Sequence, residues 1–313
     1  MMKSCLSSSL VRRGLPRRGA ALLAVLWVIA LLIGLVAATS LLLMQDIELA
    51  AVKRQVFRAR MLSEAALAIA MNPDIKPDDP LLRRQVAQDE RFLVEMTGED
   101  GLLNPNVLLQ REDKDTLRRI FLYWGMNIQQ ANILIDRMLD WVDGDDFARV
   151  QGGERKLYNR NGMPFNRPFR SIEEMSLVSG MDMVEQGYPQ WRDWFSIHAS
   201  GVLDVNEARP EIIAAVTGAD MRFAQNLRSQ RVGRDGLLNT DDDNPMPDLA
   251  SALAILGIAS GDPQSLASLL SVNSSTRRIL VKVQVGDLER QTAAVVRGAI
   301  GQGATAILWM GEK

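Results

Sequence analysis

The longest apolar run of the chain extends from Ala20 to Met44 and contains no charged residue. As a helix rising about 1.5 Å per residue it would span roughly 37 Å, enough to cross the hydrocarbon core of a bilayer with some tilt. Residues 45–71 contain neither glycine nor proline, and small or apolar side chains recur there every three or four positions. The pattern predicts one helix of about 50 residues, apolar all round in its first half, amphipathic in its second, and ended by Asn72-Pro73.

Behind this helix the apolar residues keep a helical period over much of the chain. Ser171 followed by Glu174 has the spacing of a capping box at the start of a short helix. Leu81–Met96 fits either an amphipathic helix or a helix followed by a strand, and both interpretations stay open. Further helices are expected at 115–125, 128–142, 171–179, 207–216, 247–256 and 263–270.

The last part of the chain changes to the period of a strand. Between Ile279 and Val285 every second residue is a branched aliphatic one, and Gly286-Asp287 is a turn signal. Residues 290–297 and 304–310 complete a three-strand meander. The predicted fold class is α+β: a long N-terminal transmembrane and spine helix, a C-terminal antiparallel sheet, and an inserted helical domain.

Three interpretations compete for the N-terminus, where five basic and no acidic residues precede Ala20. A secretory signal peptide has a shorter apolar region, of about 7–15 residues, although Val36-Ala37-Ala38 has the small side chains of a cleavage site. An uncleaved anchor is the second interpretation. The third is a pilin-type leader, short and basic, that is cut after Gly19 while the apolar helix is kept. The charge bias places the N-terminus in the cytoplasm and the body of the protein outside it.

Charge and chemistry exclude several classes of function. Five of the 36 basic residues precede the apolar run and all 38 acidic residues follow it, so the exported part has a net charge of −7 and is a poor match for nucleic-acid phosphates. The only cysteine, Cys5, lies on the cytoplasmic side or in the removed leader, so the exported part forms no disulfide. His198 is the only histidine and no catalytic motif is present, so we predict that the protein is not an enzyme.

Two loops concentrate carboxylates next to glycine. Asp140 to Asp146 holds four carboxylates, with Glu154 after them in a glycine-rich turn, and Asp235 to Asn244 holds four more. Hard oxygen ligands on a permissive turn suit calcium, but neither loop has the EF-hand spacing, and aspartate at helix ends and turns is also ordinary. A calcium site and a solvated acidic turn both remain open for each loop.

Several short motifs in a fixed order give the chain a resemblance to the general secretion pathway protein K family, the minor pseudopilins K of type II secretion. These motifs are Arg18-Gly19 before Ala20 to Trp27, Gly101 to Asn104, Leu139 to Asp145, Phe169 to Met175, Val202 to Ala208, and a last strand that includes Trp309.

The resemblance implies cleavage by the prepilin peptidase between Gly19 and Ala20, with methylation of the new N-terminus. Most pilins carry glutamate at the fifth mature position, where this chain has Ala24. That difference suits a subunit at the tip of the pseudopilus, with no subunit above it to receive the carboxylate. The implied location is the inner membrane, with one membrane pass, a cytoplasmic N-terminus and a periplasmic C-terminal domain.

The resemblance also implies bound calcium, partners and a role. The partners are the minor pseudopilins I and J and the major pseudopilin, and the role is to initiate assembly at the pseudopilus tip and to support export across the outer membrane. No nucleic acid is expected. The calcium ligands implied are Asp140, Asp143, Asp145, Asp146 and Glu154, then Asp235, Asp241 and Asp243.

The domain organisation follows from the same patterns, together with the helical insertion that the family carries. It consists of a leader (1–19), a transmembrane segment (20–44), the amphipathic remainder of the helix (45–75), a pilin-like segment (76–106), an inserted helical domain with helix-hairpin-helix or SAM-like pieces and acidic loops (107–272), and the C-terminal strands (273–313). The helix-hairpin-helix pieces also support an alternative function: a membrane-anchored envelope protein that binds nucleic acid or protein.

Overall fold

The fold was analysed in a computed structural model that describes residues 18–72, 74–158, 162–236, 238, 240, 242–258, 268–298 and 306–312. The helices are α1 (Arg18–Ala70), α2 (Pro105–Gln110), α3 (Lys114–Tyr123), α4 (Ile128–Val142), α5 (Arg155–Tyr158), α6 (Met181–Gly187), α7 (Pro210–Thr217), α8 (Met221–Arg231) and α9 (Leu249–Ile255). The strands are β1 (Arg83–Ala87), β2 (Glu90–Gly98), β3 (Leu203–Asp204), β4 (Leu270–Ser271), β5 (Thr276–Val285), β6 (Leu288–Arg297) and β7 (Ala306–Glu312).

The chain divides into two compact units, and the division at 58/59 falls inside α1. The first unit consists, in its described part, of the helical residues 18–58. Their side chains from position 21 onward are exposed, apart from Ala51 and Gln55, which are half-buried. The prediction of one long helix that ends next to Asn72 is confirmed, because α1 is 53 residues long and ends at Ala70.

The second unit contains an antiparallel sheet in the order β1-β2-β5-β6-β7. One face of the sheet packs against the last turns of α1, where Ala59, Leu62 and Ala66 are buried among branched aliphatic side chains. Inside this layer the Ser63 hydroxyl donates a 2.8 Å hydrogen bond to that of Thr292 on β6. The alternation predicted for β5 is confirmed, since Ile279, Val281, Val283 and Val285 are all buried.

A second core lies between β2 and β5 in the sequence. Its buried residues run from Leu103 to Leu270 and include the helix faces of α3, α4, α7 and α8. The short strands β3 and β4 pair in parallel beside it. The chain therefore leaves the sheet after β2, builds a helical body, and returns to the sheet at β5 directly beside the strand that it left.

Two of the local predictions differ from the structure. Of the two interpretations of Leu81–Met96, the amphipathic helix is wrong and the helix followed by a strand is partly confirmed, because a 3-10 helix at Pro80–Leu82 precedes the hairpin β1-β2. In β2, Phe92, Val94 and Met96 alternate toward the α1 side of the sheet. Ser171 does not cap a helix: Glu174 instead forms an ion pair with Arg167 at 3.0 Å.

Two further local differences concern helix boundaries. Residues 173–177 form a 3-10 helix whose preceding residue makes no side-chain capping bond. Of the helix expected at 263–270, residues 263–267 lie outside the described residues, and Leu270 belongs to β4.

Candidate functional site

The apolar helix is the first candidate site. Among the described residues, α1 is the one helix long and apolar enough to cross a membrane by length and composition, with a mean hydropathy of 2.9 over its best window and none of that window buried. Gly19 and Ala20 both lie in α1, and the side chain of Ala24 is exposed. Helical geometry is compatible with the predicted cleavage and methylation but tests neither, so both stay predictions.

The first acidic loop is held to the end of α4 by a buried carboxylate. Asp140 is 0% exposed and accepts hydrogen bonds from the backbone N–H groups of Arg149 (3.0 Å) and Gly153 (2.8 Å). A Cβ added at Gly152 would lie 1.9 Å from Asp140 Oδ2, so only glycine lets the loop approach this closely. Asp140 therefore folds residues 144–153 back onto the last turn of α4.

The sequence analysis missed the counter-ion of this loop. The Arg149 guanidinium donates to Asp140 at 2.8 Å, to Asp143 at shorter range, and to Glu112 at 3.3 Å. No motif marks this arginine, because it lies nine residues after Asp140 and meets it only when the loop closes. Part of the acidic cluster is thus neutralised by the chain itself.

Glu154 is different, because no described residue compensates its charge. It is 9% exposed, and among the described residues neither carboxylate oxygen has a hydrogen-bond partner; Asp143 Oδ1 is also buried without a described partner. Burial, followed by repulsion from Asp140, Asp143, Asp146 and Asp145, raises the pKa of Glu154 to about 7. Burial is also the main cause of the raised pKa of Asp143.

The donor atoms of the first loop fit calcium in their chemistry. Three carboxylate oxygens, two from Glu154 and one from Asp143, are buried without a hydrogen bond from any described residue, and hard anionic oxygen is what calcium binds. Asp145 and Asp146 are exposed at the same loop. The described residues contain no group of three or more acidic, histidine or cysteine side chains arranged around one ion.

In the second acidic loop, two carboxylates accept hydrogen bonds from groups of the loop itself. Asp242, which was not among the predicted ligands, accepts from the N–H of Arg234 at 2.6 Å and from the Thr240 hydroxyl at 2.9 Å. The backbone hydrogen bond from Arg234 is the main cause of the lowered pKa of Asp242. Asp243 accepts from the N–H of Thr240 at 3.1 Å, and Asp241 lies outside the described residues. Calcium at this loop remains a prediction.

A third carboxylate cluster, at the junction between the sheet and the helical body, was not predicted at all. Glu99 pairs with Arg278 through two hydrogen bonds of 2.8 Å and also accepts from the Ser196 hydroxyl. Asp100, 2% exposed, accepts from the backbone N–H groups of Ser275 at 2.8 Å and Thr276 at 3.0 Å. The acidic pair thus joins the segment that follows β2 to the start of β5, and through Ser196 to the helical body.

The same junction contains an open pocket of about 220 Å³ whose lining includes Asp204, Glu207 and Arg277. Burial raises the pKa of Asp204 from 3.8 to about 7 and that of Glu207 in the same direction. Because the folded state binds the Asp204 proton more tightly than the unfolded chain, the stability from this group decreases as the pH rises from 3.8 to about 7. The ionised Asp204 carboxylate therefore lowers the stability of the folded protein.

The chain is similar to proteins of type II secretion. A family model described as "Type II secretion system (T2SS), protein K" matches residues 101–187. The type II secretion system protein K of Pseudomonas aeruginosa PAO1 is 27% identical over 149 residues, which is 45% of this chain and 44% of that protein. This chain therefore matches less than half the length of that relative.

The fold also has a solved counterpart. It matches a chain in the crystal structure of the GspK-GspI-GspJ complex of the enterotoxigenic Escherichia coli type 2 secretion system. The TM-score is 0.61 at 16% identity, and the match covers 86% of this chain and 99% of that one. At this identity the likeness shows the fold, and it confirms the predicted α+β pilin-like class with helices added to the sheet.

Proposed function

From the type II secretion protein K domain that this chain carries at residues 101–187, we propose that the protein is a minor pseudopilin of that secretion pathway. The family match carries this proposal, and the α+β pilin-like fold supports it. The chain would act by assembly and not by catalysis. This agrees with the lack of a catalytic motif and with carboxylate clusters whose partners are arginines and backbone N–H groups.

The proposed mechanism uses the two parts of α1 differently. Residues 20–44 would be stored in the inner membrane and then move into a helical bundle with other pseudopilins, since the exposed apolar side chains of this segment suit both lipid and neighbouring helices. Residues 59–70 pack on the sheet and hold the folded body to this helix. When residues 20–44 move from the lipid into the filament, the folded body then moves with them and does not unfold.

The presence of the helical body favours a position of this subunit at the tip of the filament. It adds a complete second core between β2 and β5, whereas the sheet and the end of α1 already have a core of their own. We propose that this added body caps the pseudopilus and helps to initiate its assembly, with minor pseudopilins I and J and then the major pseudopilin as partners. The five basic residues before Ala20 favour a cytoplasmic N-terminus and a periplasmic body.

Replacing Gly19 with leucine is expected to leave the leader attached. The prepilin peptidase must approach the backbone at the cut, and a branched side chain there blocks that approach. Gly34→Leu is the matched control in the same helix, where an added Cβ meets no atom within 4 Å. Full-length protein made with and without the peptidase is compared by gel mobility and N-terminal sequencing.

The two variants should separate clearly. Wild type and Gly34→Leu should start at Ala20 when the peptidase is present, and Gly19→Leu should migrate more slowly at the position of the uncut protein. A mature N-terminus near Thr39, or a band independent of the peptidase, would contradict the pseudopilin proposal.

We also propose that calcium binds the first acidic loop through Glu154 and Asp143, with Asp140, Asp145 and Asp146 adding negative charge around them. A divalent cation would compensate the repulsion that raises the pKa of Glu154. Bound calcium would fix the loop to the end of α4 in a domain without disulfides. The loop at Asp235, Asp241 and Asp243 is proposed as a weaker second site.

Glu154→Gln is expected to remove most of the stabilisation by calcium. Ligand at 100 times its dissociation constant adds about 2.7 kcal/mol, which corresponds to a rise of several degrees in melting temperature. The measurement is thermal unfolding of the full chain in detergent with calcium or with a chelator. Glu173→Gln, at an exposed position, is the control.

The chelated samples give a second readout for Glu154. Without calcium, Glu154→Gln should melt above the wild type, because it removes one buried charge from a repulsive cluster. Equal responses of all three proteins to calcium would show that the first loop is a solvated turn.

A further inference from the structure

Strand β7 is an edge strand with apolar side chains exposed on both faces. In the sheet order it pairs only with β6 among the described strands. Ile307, Leu308, Trp309 and Met310 are 49%, 38%, 42% and 58% exposed. No charged residue occurs in β7 before Glu312. Among the described strands, the second backbone edge of β7 is therefore an unpaired ladder beside a row of large apolar groups.

The opposite edge of the same sheet is protected. Strand β1 carries Arg83 and Arg84 among five exposed residues, and charge at an edge prevents pairing with other strands. Both edges contain one extra residue out of register, Val86 in β1 and Leu308 in β7. Irregular register is thus common to both edges, and the difference between them is charge.

The exposed side chains of β7 continue the buried layers of the sheet. Met310 is paired with Ala294 and Ile307 with Val296, and both partners belong to the core beneath α1. Trp309 is paired with Val295 on the other face, where its ring lies 6.4 Å from that of His198. A strand added next to β7 would extend the sheet and shield apolar groups on both faces.

We propose that β7 is the docking edge for an extended, largely apolar strand of a different pilin-like subunit. The inference rests on the proposed function, which supplies pilin-like neighbours. The occupant is an extended segment because the free ladder of β7 offers backbone donors and acceptors, and its side chains select apolar partners.

The geometry disfavours a second copy of this chain as the occupant. Antiparallel pairing of β7 with itself would create a two-fold axis that reverses the direction of residues 59–70 in the two copies. Two chains anchored in one membrane by the start of the same helix run in the same direction. A different subunit has no such restriction, because its strand does not have to be β7.

The test places one lysine on each edge of the sheet. Met310→Lys puts a charge on the free apolar edge, and Val86→Lys makes a comparable change on the protected edge, where the side chain is 44% exposed. Each full-length tagged chain is produced with the other minor and major pseudopilins and purified from membranes in mild detergent. Retained pilins are quantified by mass spectrometry, and thermal unfolding of each chain is measured alongside.

Met310→Lys should retain at least tenfold less of one pilin, while Val86→Lys stays within about twofold of wild type and both unfold at the wild-type temperature. Equal retention by the two variants would overturn the β7 proposal and leave the pseudopilin proposal standing. Disulfide-linked homodimers of a Met310→Cys chain would overturn it in favour of a second copy. A wild-type chain that retains no pilin would overturn both proposals.

Discussion

Replacing Asp100 with alanine is expected to destabilise the folded body by about 3–5 kcal/mol, because it removes a buried carboxylate that accepts from several buried or half-buried donors at once. The carboxylate is 2% exposed and accepts from the N–H groups of Ser200 (2.6 Å), Ser275 (2.8 Å) and Thr276 (3.0 Å). Alanine leaves the buried N–H group of Thr276 and the half-buried ones of Ser200 and Ser275 without this acceptor. The lost hydrogen bonds lie where the helical body joins the sheet.

The measurement is urea unfolding of the full chain in detergent, together with hydrogen exchange of the backbone amides. Exchange at Ser275 and Thr276 should accelerate in Asp100→Ala, since their acceptor is gone. Asp193→Ala, at an exposed position, makes the same chemical change and should alter stability by less than about 0.5 kcal/mol. A similar small change in Asp100→Ala would contradict the assigned role of this carboxylate.

Trp124→Ala is expected to cost about 3–5 kcal/mol, because it removes the centre of an aromatic cluster. Trp124 is 5% exposed and stacks on Tyr188 at 5.4 Å, with an interplanar angle of 11°. It also meets the edges of Trp194 at 5.4 Å and Phe195 at 6.0 Å. Because these partners all belong to residues 188–195, far from Trp124 in the chain, the cavity left behind cannot close by a shift within one segment.

Thermal unfolding followed by circular dichroism tests this prediction. The control is Phe147→Ala, which removes an aromatic ring that is 84% exposed and should change the melting temperature by no more than about one degree. If both variants melted like the wild type, the aromatic cluster would not be the centre of the helical core.

Some elements of the fold could be predicted from the sequence, and others could not. Strand β5 and the apolar face of α4 could be predicted. Every second residue of β5, and every third or fourth residue of α4, packs against the same neighbouring layer, and this gives the sequence a period. The hairpin at 83–98 could not be predicted from such a period. Strand β1 is an exposed edge with no buried side chain to give it a period, and only β2 alternates.

The candidate sites divide in the same way. The acidic loop was found because its carboxylates are adjacent in the sequence, and the apolar helix because its residues are contiguous. Arg149, which pairs with Asp140 and Asp143 of that loop, and Thr276, which donates to Asp100, carry no local signal. Their contacts span 9 and 176 positions in the chain, and the tertiary fold alone brings them together.

By itself the amino-acid sequence determined the long apolar helix, the strand period at the end of the chain, the order of the family motifs and the place of the acidic loops, because each depends on residues near one another in the chain. Only the tertiary structure decided which carboxylates are compensated and which edge of the sheet is unprotected. Among the described residues Glu154 has no hydrogen-bond partner while Asp140 has Arg149, although both belong to one acidic segment. The physical reason is that hydrogen bonding, burial and edge exposure depend on which distant segments pack together, and spacing along the chain does not specify that packing.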